Sequence, residues 1–213
     1  MVLNKQSIFM NKILIATGNK HKREKLSWIV DGFFKKIEFP ENIGFKIEIE
    51  EDGNTFEENA AKKAIEFSKH YDGYTISTDG GILIPVLGNL WDGLRTKRFV
   101  GEDVSDFERI EKLLELMEDK KGDERKMVWN EAIAIAKDGK LLFSKQVEGI
   151  EGVLQREFDK SKYREGIWVC SVWFFPQFNK NFFDLSPEEA SKAEVSWEKL
   201  RKAAREFLNT QAE

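Results

Sequence analysis

Cysteine and histidine are the scarce residues of this sequence. A single cysteine, Cys170, excludes an internal disulfide and a cysteine-based zinc site, and two histidines, His21 and His70, are too few for a histidine-rich metal centre. Long apolar runs are missing too. No stretch approaches the roughly 18–20 uncharged residues that a transmembrane helix requires. Neither charge predominates: 34 Lys and Arg stand against 38 Asp and Glu, a net charge of −4. Nothing in that balance calls for a nucleic-acid polymer or an anionic membrane as partner. There is no internal repeat and no low-complexity linker. Residues 1–9 lack the apolar core and the small-residue cleavage site of a targeting signal, and are read as an N-terminal extension. What remains is 213 residues, 41% hydrophobic and 34% charged, which suits a globular protein of a reducing, cytoplasmic compartment. The length suits one domain of two lobes over residues 10–213.

The patterning alternates between strands and helices. Ile13 to Ala16 is a continuous apolar run ended by Thr17-Gly18-Asn19, a buried strand followed by a turn. Residues 19–30 then show helical spacing, with Leu26, Ile29 and Val30 on one face. Phe45, Ile47 and Ile49 alternate with charged residues, predicting a half-buried strand. Thr55 with Glu58, and Ser105 with Glu108, are capping-box pairs that open two helices. Tyr74 to Ser77 predicts a strand broken by Asp79-Gly80-Gly81, with a further apolar segment at Ile82 to Leu87. Lys126 to Ala136 and Leu141 to Val147 predict antiparallel strands about the turn Asp138-Gly139. Ile167 to Phe175 predicts an aromatic strand, and Ser186-Pro187 starts a helical C-terminus. Together these predict a mixed α/β fold.

Three groups of residues carry possible chemistry. Thr17-Gly18-Asn19-Lys20-His21-Lys22-Arg23 places cations in the first turn of a helix. There they oppose the helix dipole by about 0.3–1 kcal/mol each when exposed. Two readings fit: a solvated basic surface, or an anion site where free N–H groups and lysines converge on phosphate. It is not a Walker loop. Glu48, Glu50, Glu51 and Asp52, with Asp79 at another strand end, are either solvated acids and a plain turn or oxygen ligands for Mg²⁺. In the second case one carboxylate positions or deprotonates a water. Arg98, in Thr96-Lys97-Arg98-Phe99, is either a bidentate anion ligand or a surface residue.

With these residues in order, ILIATGNKHKREKL resembles the opening signature of the inosine triphosphate pyrophosphatase (Ham-type) family. Glu51 to Ala60 followed by Lys63-Ala64 resembles that family's E-x-G-x-T-F-x-E-N-A-x-x-K-A block. Ser77-Thr78-Asp79-Gly80-Gly81-Ile82 resembles its A-D-D-S-G-L motif, and Thr96-Lys97-Arg98-Phe99 with Gly101 resembles S-x-R-[FY]-x-G. The resemblance implies hydrolysis of a noncanonical purine nucleoside triphosphate to the monophosphate and pyrophosphate. It implies an elongated mixed sheet with two α/β lobes around a central cleft, Mg²⁺ as cofactor, and a homodimer. Carried residue by residue, it implies that Thr17, Asn19, Lys22 and Lys63 contact the triphosphate. Glu51 and Asp79 would organise the metal and the attacking water, with Asp79 as the general base. Gly80, Thr96 and Arg98 would lie near the nucleotide.

The departures concentrate in the second half. Thr78 stands where the family has the first aspartate of D-D-S-G, and Gly80 where it has the serine. One residue is inserted in Leu90-Trp91-Asp92-Gly93. The purine-packing G-F-G-Y-D-P strand aligns with Gly166 to Ser171, although Pro176 falls where a later family proline would. The base-reading S-H-R motif aligns near Val195-Ser196-Trp197, without its His and Arg. The helix signature EEK is Glu188-Glu189-Ala190. The expectation is therefore a retained phosphate half and an altered base specificity. Trp168, Trp173 and Trp197 are read either as stacking surfaces for another base or as core. The alternative function is a catalytically silent paralogue that binds a nucleotide or a partner.

Overall fold

The computed structural model describes residues 10–211 except 45, 46, 48, 102 and 166, and the side chain of Lys97. The N-terminal extension, and Phe45, Lys46 and Glu48 of the expected strand, lie outside the described residues. The fold is a mixed α/β arrangement on one seven-stranded sheet of order β2-β1-β3-β4-β5-β6-β7. Its strands are β1 (Met10–Ile15), β2 (Phe34–Glu38), β3 (Tyr74–Leu83), β4 (Lys126–Lys137), β5 (Lys140–Leu154), β6 (Trp173–Phe175) and β7 (Lys180–Asn181). The helices are α1 (Lys20–Val30), α2 (Phe56–Ser68), α3 (Asp106–Leu116), α4 (Pro187–Ala193) and α5 (Val195–Gln211). β1 pairs in parallel with β2 and β3, whereas β5, β6 and β7 pair antiparallel. Among the described residues no helix is long and apolar enough to cross a membrane.

The chain divides into two compact units. The first comprises residues 1–80, 131–147 and 197–213, and the second 81–130 and 148–196. In the first unit Ile13 and Ile15 of β1, Leu26, Ile29 and Val30 of α1, and Leu200, Ala204 and Leu208 of α5 form one fully buried cluster. The apolar stripe read from residues 19–30 is the face that α1 turns to this core. In the second unit Ile110 and Leu113 of α3 pack with Leu154, Val172, Trp173 and Phe175.

The helix starts follow the sequence closely. Asn19 Oδ1 accepts from the Lys22 N–H at 3.1 Å, and Thr55 Oγ1 from the Glu58 N–H at 3.0 Å. Ser105 and Ser186 each form a reciprocal pair with the Glu three residues on. Such caps are worth about 1 kcal/mol each. Asp138 and Gly139 both adopt left-handed φ, 52° and 72°, as a two-residue hairpin between β4 and β5 demands.

Three expectations are corrected, and one strand is added to them. β3 does not stop before Asp79-Gly80-Gly81 but runs through it to Leu83. Both glycines stay extended, and the carboxylate has side-chain partners that spare it a turn. Ile47, Ile49 and Glu50 lie in no strand. The alternation marks which side chains pack, since Ile47 and Ile49 lie against the cluster of Leu14, Phe67 and Tyr71. Residues 168–172 form a 3-10 turn, and only Trp173–Phe175 is strand. Residues 168–173 are all buried, so they carry no alternation to separate the two forms. β2 was not anticipated at all, because Lys35 and Lys36 interrupt its apolar pattern.

Two results follow. Arg125, 6% exposed, donates to the carbonyls of Leu154 at 2.8 Å, Gln155 at 2.7 Å and Met117. Arg125→Ala should cost roughly 2–4 kcal/mol in urea unfolding, by leaving these carbonyls unpaired. Burial pushes the Cys170 thiol up to about 12, so it stays protonated at pH 8. Iodoacetamide should leave Cys170 unmodified in the native protein and alkylate it once urea is added.

Candidate functional site

The turn after β1 is shaped by its own side chains. Asn19 N–H donates to Thr17 Oγ1 at 3.2 Å, and Asn19 Oδ1 caps α1. The Thr17 carbonyl accepts from Arg23 Nε at 2.7 Å. Arg23 also forms a bidentate pair with Glu41 and lies over the Phe39 ring, 5.0 Å from its centroid. Its charge is therefore committed to Glu41. Lys20 is exposed, whereas Lys22 turns inward.

Lys22 meets a buried acidic cluster. Asp79, 8% exposed in β3, accepts from Asn59 Nδ2 on Oδ2 at 3.0 Å. Its other oxygen, Oδ1, faces Lys63 Nζ at 3.5 Å and Lys22 Nζ at 3.9 Å. Lys63 also pairs with Glu51 at 2.8 Å. Asn59 and Lys63 are four residues apart on α2, so one helical face presents both to the carboxylate. Glu131 of β4, fully buried, lies 3.8 Å from Lys22 Nζ and 2.6 Å from Thr78 Oγ1.

The loop bearing Glu51 is fixed to the same helix. Gly53 N–H donates to Asn59 Oδ1 at 2.8 Å. A Cβ on Gly53 would meet that oxygen at 2.6 Å, so glycine is required by close approach rather than by φ. Asn59 thus ties the loop with one end of its amide and Asp79 with the other. A cavity of about 340 Å³ opens beside this cluster, with Thr17, Gly18, Glu51 and Lys63 among its lining residues.

Of the residues expected from sequence, Thr17, Asn19, Lys22, Glu51, Lys63, Asp79 and Gly80 all belong to the first unit, and Thr96, Arg98 and Trp168 to the second. Glu50 is exposed and Asp52 pairs with Lys62 at 2.6 Å. Arg98 is exposed on the 3-10 turn Thr96–Arg98. The segment after that turn is held by Arg109, which donates to the carbonyls of Phe99 at 3.3 Å and Gly101 at 3.0 Å. Trp168 is 2% exposed, stacked on Phe99 with 6.1 Å between centroids and edge-on to Trp91. Trp173 and Trp197 are buried as well. Sequence reasoning missed Asn59 and Glu131. Asn59 lay unassigned inside a quoted motif. Glu131 left a signal in the run Met127 to Ala136, because an acid in a run that is apolar but for Asn130 needs a partner.

Residues 13–209 match the Ham1 family. A dITP/XTP pyrophosphatase of Thermoanaerobacter pseudethanolicus is 32% identical over 182 residues, 85% of this chain and 88% of that one. A dITP/XTP pyrophosphatase of Desulforamulus reducens is 31% identical over 200 residues, 93% of this chain and 96% of that one. The solved structure of a HAM1 protein from Coxiella burnetii matches with a TM-score of 0.76 at 26% identity, covering 92% of this chain and 100% of the other.

The double tie made by Asn59 has a measurable cost of removal. Asn59→Ala strands the Asp79 oxygen and the Gly53 N–H, and should lower the free energy of unfolding by about 1–3 kcal/mol in urea denaturation.

Proposed function

The chain belongs to the Ham1 family, and on that premise we propose that it hydrolyses a noncanonical or modified nucleoside triphosphate to the monophosphate and pyrophosphate. The observation that carries this reading is the buried Asp79 carboxylate, held by Asn59 and faced by Lys22 and Lys63. An ion pair with no further purpose would need one cation. Two ammonium groups converging beside a cavity suit a polyanion.

In this reading Lys22 and Lys63 bind the phosphates, with Thr17 and Asn19 in the turn that borders them. Water adds across the phosphoanhydride between the α- and β-phosphates. Asp79 Oδ1 takes the water proton, and the bridging oxygen leaves with pyrophosphate. Asn59 keeps Oδ2 engaged, so that Oδ1 is the oxygen directed at the water. The residues suit Mg²⁺ by their chemistry. Among the described residues no three acidic, histidine or cysteine side chains form a closed metal site. Mg²⁺, however, is typically held by one or two carboxylates with waters and substrate phosphates. Glu51 and Asp79 would hold it. When bound, it supplies neutralisation of the phosphate charge.

The base specificity is proposed to differ from that of enzymes selective for ITP and XTP. Where the family's S-H-R motif reads the base, Ser196 and Trp197 are buried here at 2% and 4% exposure. Neither supplies the charged donors of that motif. Thr96, Arg98 and Gly80 remain the proposed neighbours of the nucleotide, whereas Trp168, 2% exposed against Phe99 and Trp91, is core and offers no stacking face to a base. A second copy of the chain is the proposed protein partner, supported by the exposed apolar side chains Leu90 and Ile167. The single buried thiol suits a cytoplasmic location.

Pyrophosphate release with Mg²⁺ across standard, aberrant and modified triphosphates tests this reading. The wild type should release pyrophosphate from at least one, with a best substrate other than ITP or XTP, and chelation by EDTA should stop it. Asp79→Asn should lower kcat by roughly 10²–10⁴-fold with the fold intact by circular dichroism. Release from none would favour a binding protein, and clear preference for ITP and XTP would refute the altered specificity.

A further inference from the structure

The acidic cluster contains a carboxylate to which the proposed reaction assigns no part. Glu131 is fully buried within β4, the sheet neighbour of β3. A carboxylate so far from water is tolerated where a cation and a donor answer it. Thr78 Oγ1 lies 2.6 Å from Glu131 Oε1, and Lys22 Nζ lies 3.8 Å from the same oxygen. Lys22 Nζ is also 3.9 Å from Asp79 Oδ1. The ammonium thus stands almost midway between two carboxylates and in close contact with neither. Thr78 occupies the position at which the D-D-S-G motif carries its first aspartate. Here that position offers a hydroxyl whose single proton has two acceptors on the next strand, Glu131 Oε1 and the Ala132 carbonyl, each at 2.6 Å.

We infer that Glu131 is a positioning residue of the reaction, and that the acidic charge the motif places at position 78 of β3 has moved to position 131 of β4. Its charge acts through Lys22. Asp79 Oδ1 already faces Lys63 Nζ at 3.5 Å, and a Lys22 ammonium drawn to one anion alone would settle on that oxygen as a second cation, leaving it poorly able to accept a proton. A second anion at equal distance holds the ammonium off Asp79 Oδ1 and leaves it available to phosphate. The Thr78 hydroxyl lies against the same Glu131 oxygen that faces Lys22. This role rests on the reading of Asp79 as the proton acceptor.

The test is a charge transplant between the two strands. Glu131→Gln keeps the shape and the contact with Thr78 but removes the charge. It should lower kcat about tenfold, with KM changed by no more than about twofold, since residues acting through another typically cost 10–100-fold when altered. Thr78→Asp alone puts two carboxylates in contact and should melt at a lower temperature than wild type. Thr78→Asp combined with Glu131→Gln should recover both the melting temperature and most of the wild-type kcat. Recovery supports the inference even where a single variant folds poorly, because the double variant restores one charge to the pair. Wild-type kcat in Glu131→Gln overturns it, as does a double variant no faster than Glu131→Gln or inactive. A wild-type chain that releases no pyrophosphate overturns the functional reading and this role with it. An active wild type with an indifferent Glu131→Gln overturns this role alone.

Discussion

A carboxylate removed from water has to be met by cations and donors, and Asp79 is where this chain meets that demand. The answer comes from three elements. β3 delivers the acid, α2 delivers Asn59 and Lys63, and α1 delivers Lys22. The site therefore requires both helices to start at the right residue. Asn19 and Thr55 set those starts through side-chain bonds to the first turns. A one-residue slip in either helix would rotate its lysine by about 100° away from the carboxylate. Two of the three cations at the start of α1, unfavourable toward the helix dipole, are also accounted for, Lys20 being exposed. Lys22 is held between two acids and Arg23 is paired with Glu41.

The legible parts of the fold were those in which one local signal has one physical meaning. Capping serines and threonines, the apolar stripe of α1 and the hairpin at Asp138-Gly139 all belong to this class. The misread parts were those in which tertiary partners override a local cue. Asp79-Gly80-Gly81 has turn composition, but Asn59 and Lys63 satisfy the acid within a strand. Trp168 to Phe175 is apolar but for Ser171, and the core of the second unit accepts it as a turn followed by three residues of strand. The site divides in the same way. Its motif residues could be read from spacing and resemblance, whereas the partners of Glu131, Thr78 and Lys22, became visible only once β4 was placed beside β3.

The two halves of the chain treat polar groups differently. Around Asp79 the charged groups answer one another at 2.8–3.9 Å. The second unit is dominated by packed rings, with Trp168, Phe99 and Trp91 in mutual contact and Trp173 stacked on Phe182. A pocket that discriminates bases needs polar groups that lose partners when the wrong base enters. The proposed change of base specificity would exchange selectivity for cohesion in this unit.

The first unit is assembled from three separate stretches, residues 1–80, 131–147 and 197–213. During synthesis the ribosome delivers Lys22, Lys63 and Asp79 early, Glu131 only after the first part of the second unit, and α5 later still. Until α5 emerges, Leu26, Ile29 and Val30 lack the Leu200, Ala204 and Leu208 side chains that complete their core. At about 5–20 residues per second, the interval between residue 80 and residue 197 is roughly 6–23 s. Throughout it the nascent chain carries an unfinished apolar surface, and until residue 131 appears its lysines also lack Glu131. Vectorial synthesis thus makes this unit begin first and close last, and exposes it longest to chaperones and proteases.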